Sequence, residues 1–169
     1  MEIDKQLPES AQRVAQLLQN MGHDKPVVML PASGKTSAEA AAGLGCAVAE
    51  IAKSIVFRRL SDDAAVMVIA SGANRVDEAK VAAIVGPIGK ADAKFVRQRI
   101  GYAIGGVCPI GHAEKSHILI DSDLLLLPSI WVAAGHPHAV FNLTPTQLQA
   151  MTAAPVAEVA LRSVVQDGH

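Results

Sequence analysis

A chain of 169 residues, half of them hydrophobic and only 3% aromatic, is long enough for one well-packed core and too apolar to be disordered. Its formal charge of −1 gives no global attraction to nucleic acid, so no DNA partner is expected. Two cysteines, Cys46 and Cys108, are too few for a disulfide framework or a cysteine-rich metal site. The acidic, polar start MEIDKQLPES is unlike a signal or transit peptide, and Pro128 breaks the apolar run at 124–127 far short of a bilayer; a cytoplasmic protein with no membrane partner is expected.

Taken in chain order, residues 10–21 carry Ala11, Val14, Leu17, Leu18 and Met21 at helical spacing, with Gly22 as the stop. Residues 27–30 read as a short strand. Thr36-Ser-Ala-Glu39 is a capping-box pattern that opens an Ala-rich helix ending near 43–45. A helical turn at 48–52 leads into a strand at 53–60, Ser61-Asp62-Asp63 turns the chain, and 64–70 returns, which predicts a hairpin. Asp77 and Asp92 cap helices to about Val85 and Ile100. On the second, Lys90, Lys94 and Arg97 are spaced to project from one side. Strands are expected at 117–120, 124–127, 130–133 and 139–143. Thr144-Pro145 opens a helix to Met151, and 156–161 alternates as a last strand. The fold class is α+β, a mixed and mostly antiparallel sheet with helices packed around it, in a single domain over residues 1–169.

Charge is uneven along the chain. Residues 80–115 hold six Lys or Arg against Asp92 and Glu114, a surplus of four, which suits salt-sensitive contact with a polyanion and equally a solvated helix face. The most distinctive segment runs from Gly101 to His112, with four glycines and Pro109 in twelve residues. A glycine pair such as Gly105-Gly106 leaves backbone N–H groups unscreened, as a cradle for a carbonyl or carboxyl-level oxygen; a tight turn needs the same residues. Lys53, among Ile51, Ala52, Ile55 and Val56, can reach a cleft and bind a phosphate or carboxylate, or snorkel at a strand end. Ser71-Gly72 ends the hairpin where it could line the same cleft. His136 and His138 would need a third ligand, from His112 or His117 folding back, to hold zinc. Cys108 would need a base and a lowered pKa to act as a nucleophile, and a small buried residue fits its place beside Pro109 as well.

Four of these segments together resemble the YbaK/ProX family of aminoacyl-tRNA deacylases. They are Thr36-Ser-Ala-Glu39 followed by Ile51-Ala-Lys53-Ser-Ile-Val-Phe57, then Ala70-Ser-Gly-Ala-Asn-Arg-Val-Asp77, Gly105-Gly-Val-Cys-Pro-Ile-Gly111 and Ala134-Gly-His-Pro-His138. Order and separation agree over about residues 30–160. The resemblance implies a free-standing relative of the editing domain of bacterial prolyl-tRNA synthetases. Such a protein hydrolyses the ester joining a wrong amino acid to the 3′-terminal adenosine of tRNA, without metal, cofactor or protein nucleophile, a ribose hydroxyl helping to activate water. On that resemblance Lys53 binds the aminoacyl-adenosine end, and Gly105 and Gly106 present donors to the ester carbonyl. Pro109 and Gly111 shape the loop, while Ser71, Gly72, Cys108 and His136 line the pocket. Cys108 stands where relatives commonly carry serine. Lys90, Lys94 and Arg97, from charge alone, are candidates for the tRNA backbone. Aminoacyl-tRNA is the expected partner, with a synthetase as a second candidate and a monomer or homodimer as the assembly. Alanine, cysteine, serine and threonine all remain open as the amino acid removed. The competing readings are a non-catalytic tRNA-binding module of the same fold, a histidine-based metal hydrolase, and a regulator acting through the basic segment.

Overall fold

Local signals in the chain set most of the element boundaries. In the computed structural model, which describes residues 3–31 and 36–162, α1 (Glu9–Asn20) and β1 (Val27–Met29) are followed by α2 (Ser37–Leu44). The capping box closes as expected: Glu39 N–H donates to Thr36 Oγ1 (3.1 Å), and Thr36 N–H donates to Glu39 Oε1 (3.2 Å). A one-turn 3-10 helix (Val48–Glu50) leads into β2 (Ala52–Arg59), which turns back as β3 (Ala65–Ser71). Asp77 accepts from two amides to start α3 (Glu78–Val85), β4 (Ile88–Lys90) follows, and Asp92 accepts from Phe95 N–H to start α4 (Ala93–Arg99). After the glycine loop come β5 (His117–Asp121), a second 3-10 helix (Ser122–Leu126), β6 (Ile130–Ala133) and β7 (Ala139–Leu143). Then α5 (Pro145–Thr152), opened by the Thr144–Gln147 capping box, and β8 (Val156–Ala157) complete the described chain.

The strands form two sheets. One has five strands in the order β4-β2-β3-β5-β8; β2 pairs antiparallel with β3 and β4, whereas β3–β5 and β5–β8 are parallel. The other is antiparallel, in the order β1-β7-β6. The central strand β3 is buried along its whole length, which is why 65–70 is an unbroken apolar run rather than an alternating one. Met67, Ile69 and Ile120 of the first sheet share one core with Ile130, Val132 and Phe141 of the second. A parallel bridge between Ile51 and Trp131 stitches the sheets together where β2 begins. No helix of the described residues is long and apolar enough to cross a membrane.

Three expectations are corrected. Residues 124–127 do not form a strand. Asp121 accepts from Asp123 N–H (3.0 Å) and starts a 3-10 turn that buries Leu124 and leaves Leu126 82% exposed, because four consecutive leucines carry no period of two. The last strand is Val156–Ala157 only, and beyond it Ala160 makes an isolated bridge to Val76. Lys90 ends β4, opposite Phe57, and so lies off the helix that carries Lys94 and Arg97.

Candidate functional site

The seam between the two sheets leaves a cleft of about 200 Å³. Its floor is the start of β2, residues 51–54; one wall is the opening of α2 with Thr36, Ser37 and Ala40. The opposite wall comes from the second sheet, with Trp131, Val132 and Ala139, and the rim carries Pro137, Gly105 and Val107. Lys53 and the glycine loop therefore line the same hollow, although 52 positions separate Lys53 from Gly105. Among the described residues, Lys53 is the sole charged side chain in that lining. Burial, then the nearby Arg75 guanidinium, push its ammonium below the ordinary lysine value, and Asp121 opposes them. Arg75 is exposed and has no carboxylate partner among the described residues.

Each glycine of the loop has its own reason. Gly105 takes φ +96°, a conformation side chains disfavour, and a Cβ there would merely touch Pro137. Gly106 lies so close to His136 that a Cβ would sit 2.7 Å from its N, Cα and C atoms. The expectation of a free Gly106 amide is corrected, since its N–H donates to the Ala103 carbonyl (3.0 Å). The amides of Gly105 and Val107, by contrast, have no acceptor among the described residues. Gly111 (φ +73°) fits under Leu17 and Tyr102, and its carbonyl accepts from Arg13; it shapes the loop from outside the cleft.

Cys108 is fully buried, and burial pushes its thiol up to about 12, so it is a protonated core residue at neutral pH and not part of the lining. Pro109 is buried beside it. Ser71 is also buried, its hydroxyl donating to the Ala49 carbonyl (2.8 Å) and its N–H to Asp121 Oδ2 (3.2 Å). A Cβ on Gly72 would stand 2.6 Å from Val48 O and 2.9 Å from Ser37 Cβ; that closeness lets the β3 end pack behind α2. Ser71 and Gly72 thus support the cleft from behind without lining it. His136 acts through its backbone and through Nδ1, which accepts from His138 N–H (3.1 Å); its neighbour Pro137 reaches the cleft instead. His112 is held between the Cys108 carbonyl (2.8 Å) and Ser116 Oγ (2.9 Å), and burial lowers its pKa. Among the described residues no three His, Cys, Asp or Glu side chains gather as a ligand set. Lys90, Lys94 and Arg97 are exposed and free of carboxylate partners among the described residues, while Val96 on the other side of α4 is buried.

Sequence reasoning missed Ser54, Trp131 and Pro137. The one local signal for Ser54 is a hydroxyl at the head of a short apolar run, Ser54-Ile-Val-Phe57. Trp131 and Pro137 reach the site only through docking of the second sheet.

Residues 31–151 match the family described as aminoacyl-tRNA editing domain. A crystal structure of a proposed trans-editing enzyme for prolyl tRNA synthetase is 41% identical, with a TM-score of 0.86 over 92% of this chain and 99% of that one. A structure from work on epitope backbone grafting by computational design is 38% identical, also with a TM-score of 0.86, over 93% of this chain and all of its own. YwhH of Bacillus subtilis (strain 168), an uncharacterized protein, is 29% identical over 126 residues, covering 74% of this chain and 80% of its own length.

Proposed function

Because this chain belongs to the aminoacyl-tRNA editing domain family, we propose that it is a free-standing deacylase that hydrolyses the ester between a wrong amino acid and the 3′-terminal adenosine of tRNA. The observation that carries this reading is the meeting of Lys53 with the Gly105–Val107 backbone in one cleft whose described lining contains no carboxylate. A cation among apolar walls suits an anionic or carbonyl-rich ligand end, and its incomplete hydration strengthens the attraction.

Water adds to the ester carbonyl carbon, and the carbonyl oxygen takes up the negative charge. The Gly105 and Val107 amides, which have no partner among the described residues, are the donors available to that oxyanion. Collapse expels the ribose oxygen, which takes a proton, and frees the amino acid. Gly106 contributes packing against His136 rather than a donor. Apart from Lys53, no described side chain of the lining is ionisable, and in this reading a hydroxyl of the terminal ribose orients the water. The reaction in this reading needs no metal, and it belongs in the cytoplasm where charged tRNA is used. Lys90, Lys94 and Arg97 would meet the tRNA backbone, and a synthetase could hand over the substrate.

Lys53→Ala is expected to lower deacylation of mischarged tRNA by about 10²-fold or more with the circular dichroism spectrum unchanged. Full activity in that variant refutes the assignment of Lys53. Chelator treatment is expected to change nothing; inactivation by EDTA favours a metal held by His136 and His138.

A further inference from the structure

Strand β2 has an open edge beside the cleft. The Ile51 carbonyl accepts from Gly72 N–H (2.6 Å) and Arg59 N–H donates to the Ala64 carbonyl (2.9 Å), so the odd-numbered residues of β2 bond to β3. Main-chain groups alternate in an antiparallel pair, and those of the even-numbered residues turn to the other edge. On that edge β4 pairs only with residues 57–59, and Leu60 N–H donates to the Pro87 carbonyl (2.9 Å). At the start of β2, Ile51 bridges to Trp131. Between these two contacts the N–H and C=O groups of Ser54 and Val56 have no hydrogen-bond partner among the described residues.

A hollow of about 210 Å³ lies along this edge. Its lining takes Ser54, Ile55 and Val56 in succession, which a strand offers along its edge but not from one face, because side chains alternate. None of its described lining residues is charged, and Ala91 and Ile104 add apolar surface. Ser54, Gly105 and Val107 also line the cleft of Lys53, so the two hollows meet at the glycine loop. Main-chain donors and acceptors are seldom left unpaired, and a ligand that enters this slot can supply what the sheet does not.

The Ser54 carbonyl and the Val56 amide are an acceptor and a donor on one edge, with a single residue between them. Adenine carries the complement side by side, an N6 amino donor and the N1 acceptor, on the edge through which proteins read unstacked bases. Cytosine carries a similar pair, but the ester-bearing nucleotide of tRNA is adenosine. Resting on the deacylase reading, we propose that this second hollow seats the terminal adenine, its N6 amino group donating to the Ser54 carbonyl and its N1 accepting from Val56 N–H. The ribose ester then lies at the glycine loop, where the two hollows join.

The test is steady-state deacylation of 3′-terminal CCA oligonucleotides acylated with alanine, cysteine, serine or threonine, whichever reacts fastest. Their last base is adenine, 1-deazaadenine, 7-deazaadenine or hypoxanthine. Removing N1, or exchanging the amino group for a carbonyl, is expected to lower kcat/KM by about 10-fold, the scale of one hydrogen bond whose protein partner is left unmet. 7-Deazaadenine keeps both groups and is expected to react as adenine does. Val56→Pro removes the edge amide without touching the ladder to β3, and it is expected to treat adenine and 1-deazaadenine alike. Equal rates for adenine and 1-deazaadenine in the wild-type protein overturn this proposal and leave the deacylase reading standing. A Val56→Pro protein that still discriminates between them overturns it too; should that variant fail to fold, the wild-type series decides alone. If no oligonucleotide is hydrolysed, the deacylase reading falls, and equal dissociation constants for adenosine and 1-deazaadenosine 5′-monophosphate take this inference with it.

Discussion

Lys53 is a residue the fold holds at a cost. Its ammonium is half-buried, faces the like charge of Arg75, and has Asp121 as partial compensation. The folded-state pKa is therefore below the unfolded value of 10.5, and the unfolded chain binds more protons in the window between the two. Stability from this group rises with pH across that window, and below it the full penalty applies. Lys53→Met, which keeps the apolar stem, is expected to raise the urea midpoint at pH 7 and to lose that advantage above pH 10.5 while destroying activity. A lowered midpoint at pH 7 would mean that the lysine stabilises the fold. Gly106 shows the opposite kind of constraint. A methyl group there meets main-chain atoms of His136 at 2.7 Å, which cannot rotate aside. Gly106→Ala is expected to cost about 1–3 kcal/mol, read from the shift of the denaturation midpoint at constant slope. Both residues announced themselves in the sequence, one as a cation in an apolar run and the other as half of a glycine pair. Whether the amide at 106 was free could not be read there, because its acceptor, Ala103, depends on how the loop coils.

At the scale of elements, caps and turns were legible because their chemistry is local. Thr36 with Glu39, Asp77, Asp92 and Thr144 with Gln147 each satisfy amides within a few residues of themselves. The short strand Ile88–Lys90 was not, and the last strand was read as 156–161 where only Val156–Ala157 pairs, because pairing with β2 and β5 sets where such short segments begin and end. Helix α4 faces two ways. Val96 is buried in the core, while Lys94 and Arg97 lie on the exposed side. If that exposed side tracks the tRNA backbone, replacing both cations with alanine should raise KM for full-length tRNA several-fold. Hydrolysis of a short aminoacylated 3′-terminal oligonucleotide should be spared. The slope of log affinity against log salt should also flatten by about 0.7–0.9 per lost phosphate contact. An unchanged slope assigns the tRNA contact elsewhere.

For the molecule as a whole, the α+β class, the hairpin and the helix count followed from periodicity, yet the division into two sheets did not. Sequence patterns give each strand its faces, but which strands share a sheet is decided by packing between segments as distant as 27–29 and 139–143. The same limit hid Trp131 and Pro137 from the candidate site, whereas Lys53 and the glycine loop could be recognised one by one. The seam has a consequence for synthesis. A nascent chain that has left the ribosome only as far as residue 130 holds the amine and the loop, but it lacks the far wall that Trp131, Pro137 and Ala139 supply. On the proposed function, the site becomes complete only once those last strands have emerged, so the chain would not act on charged tRNA while it is itself being made.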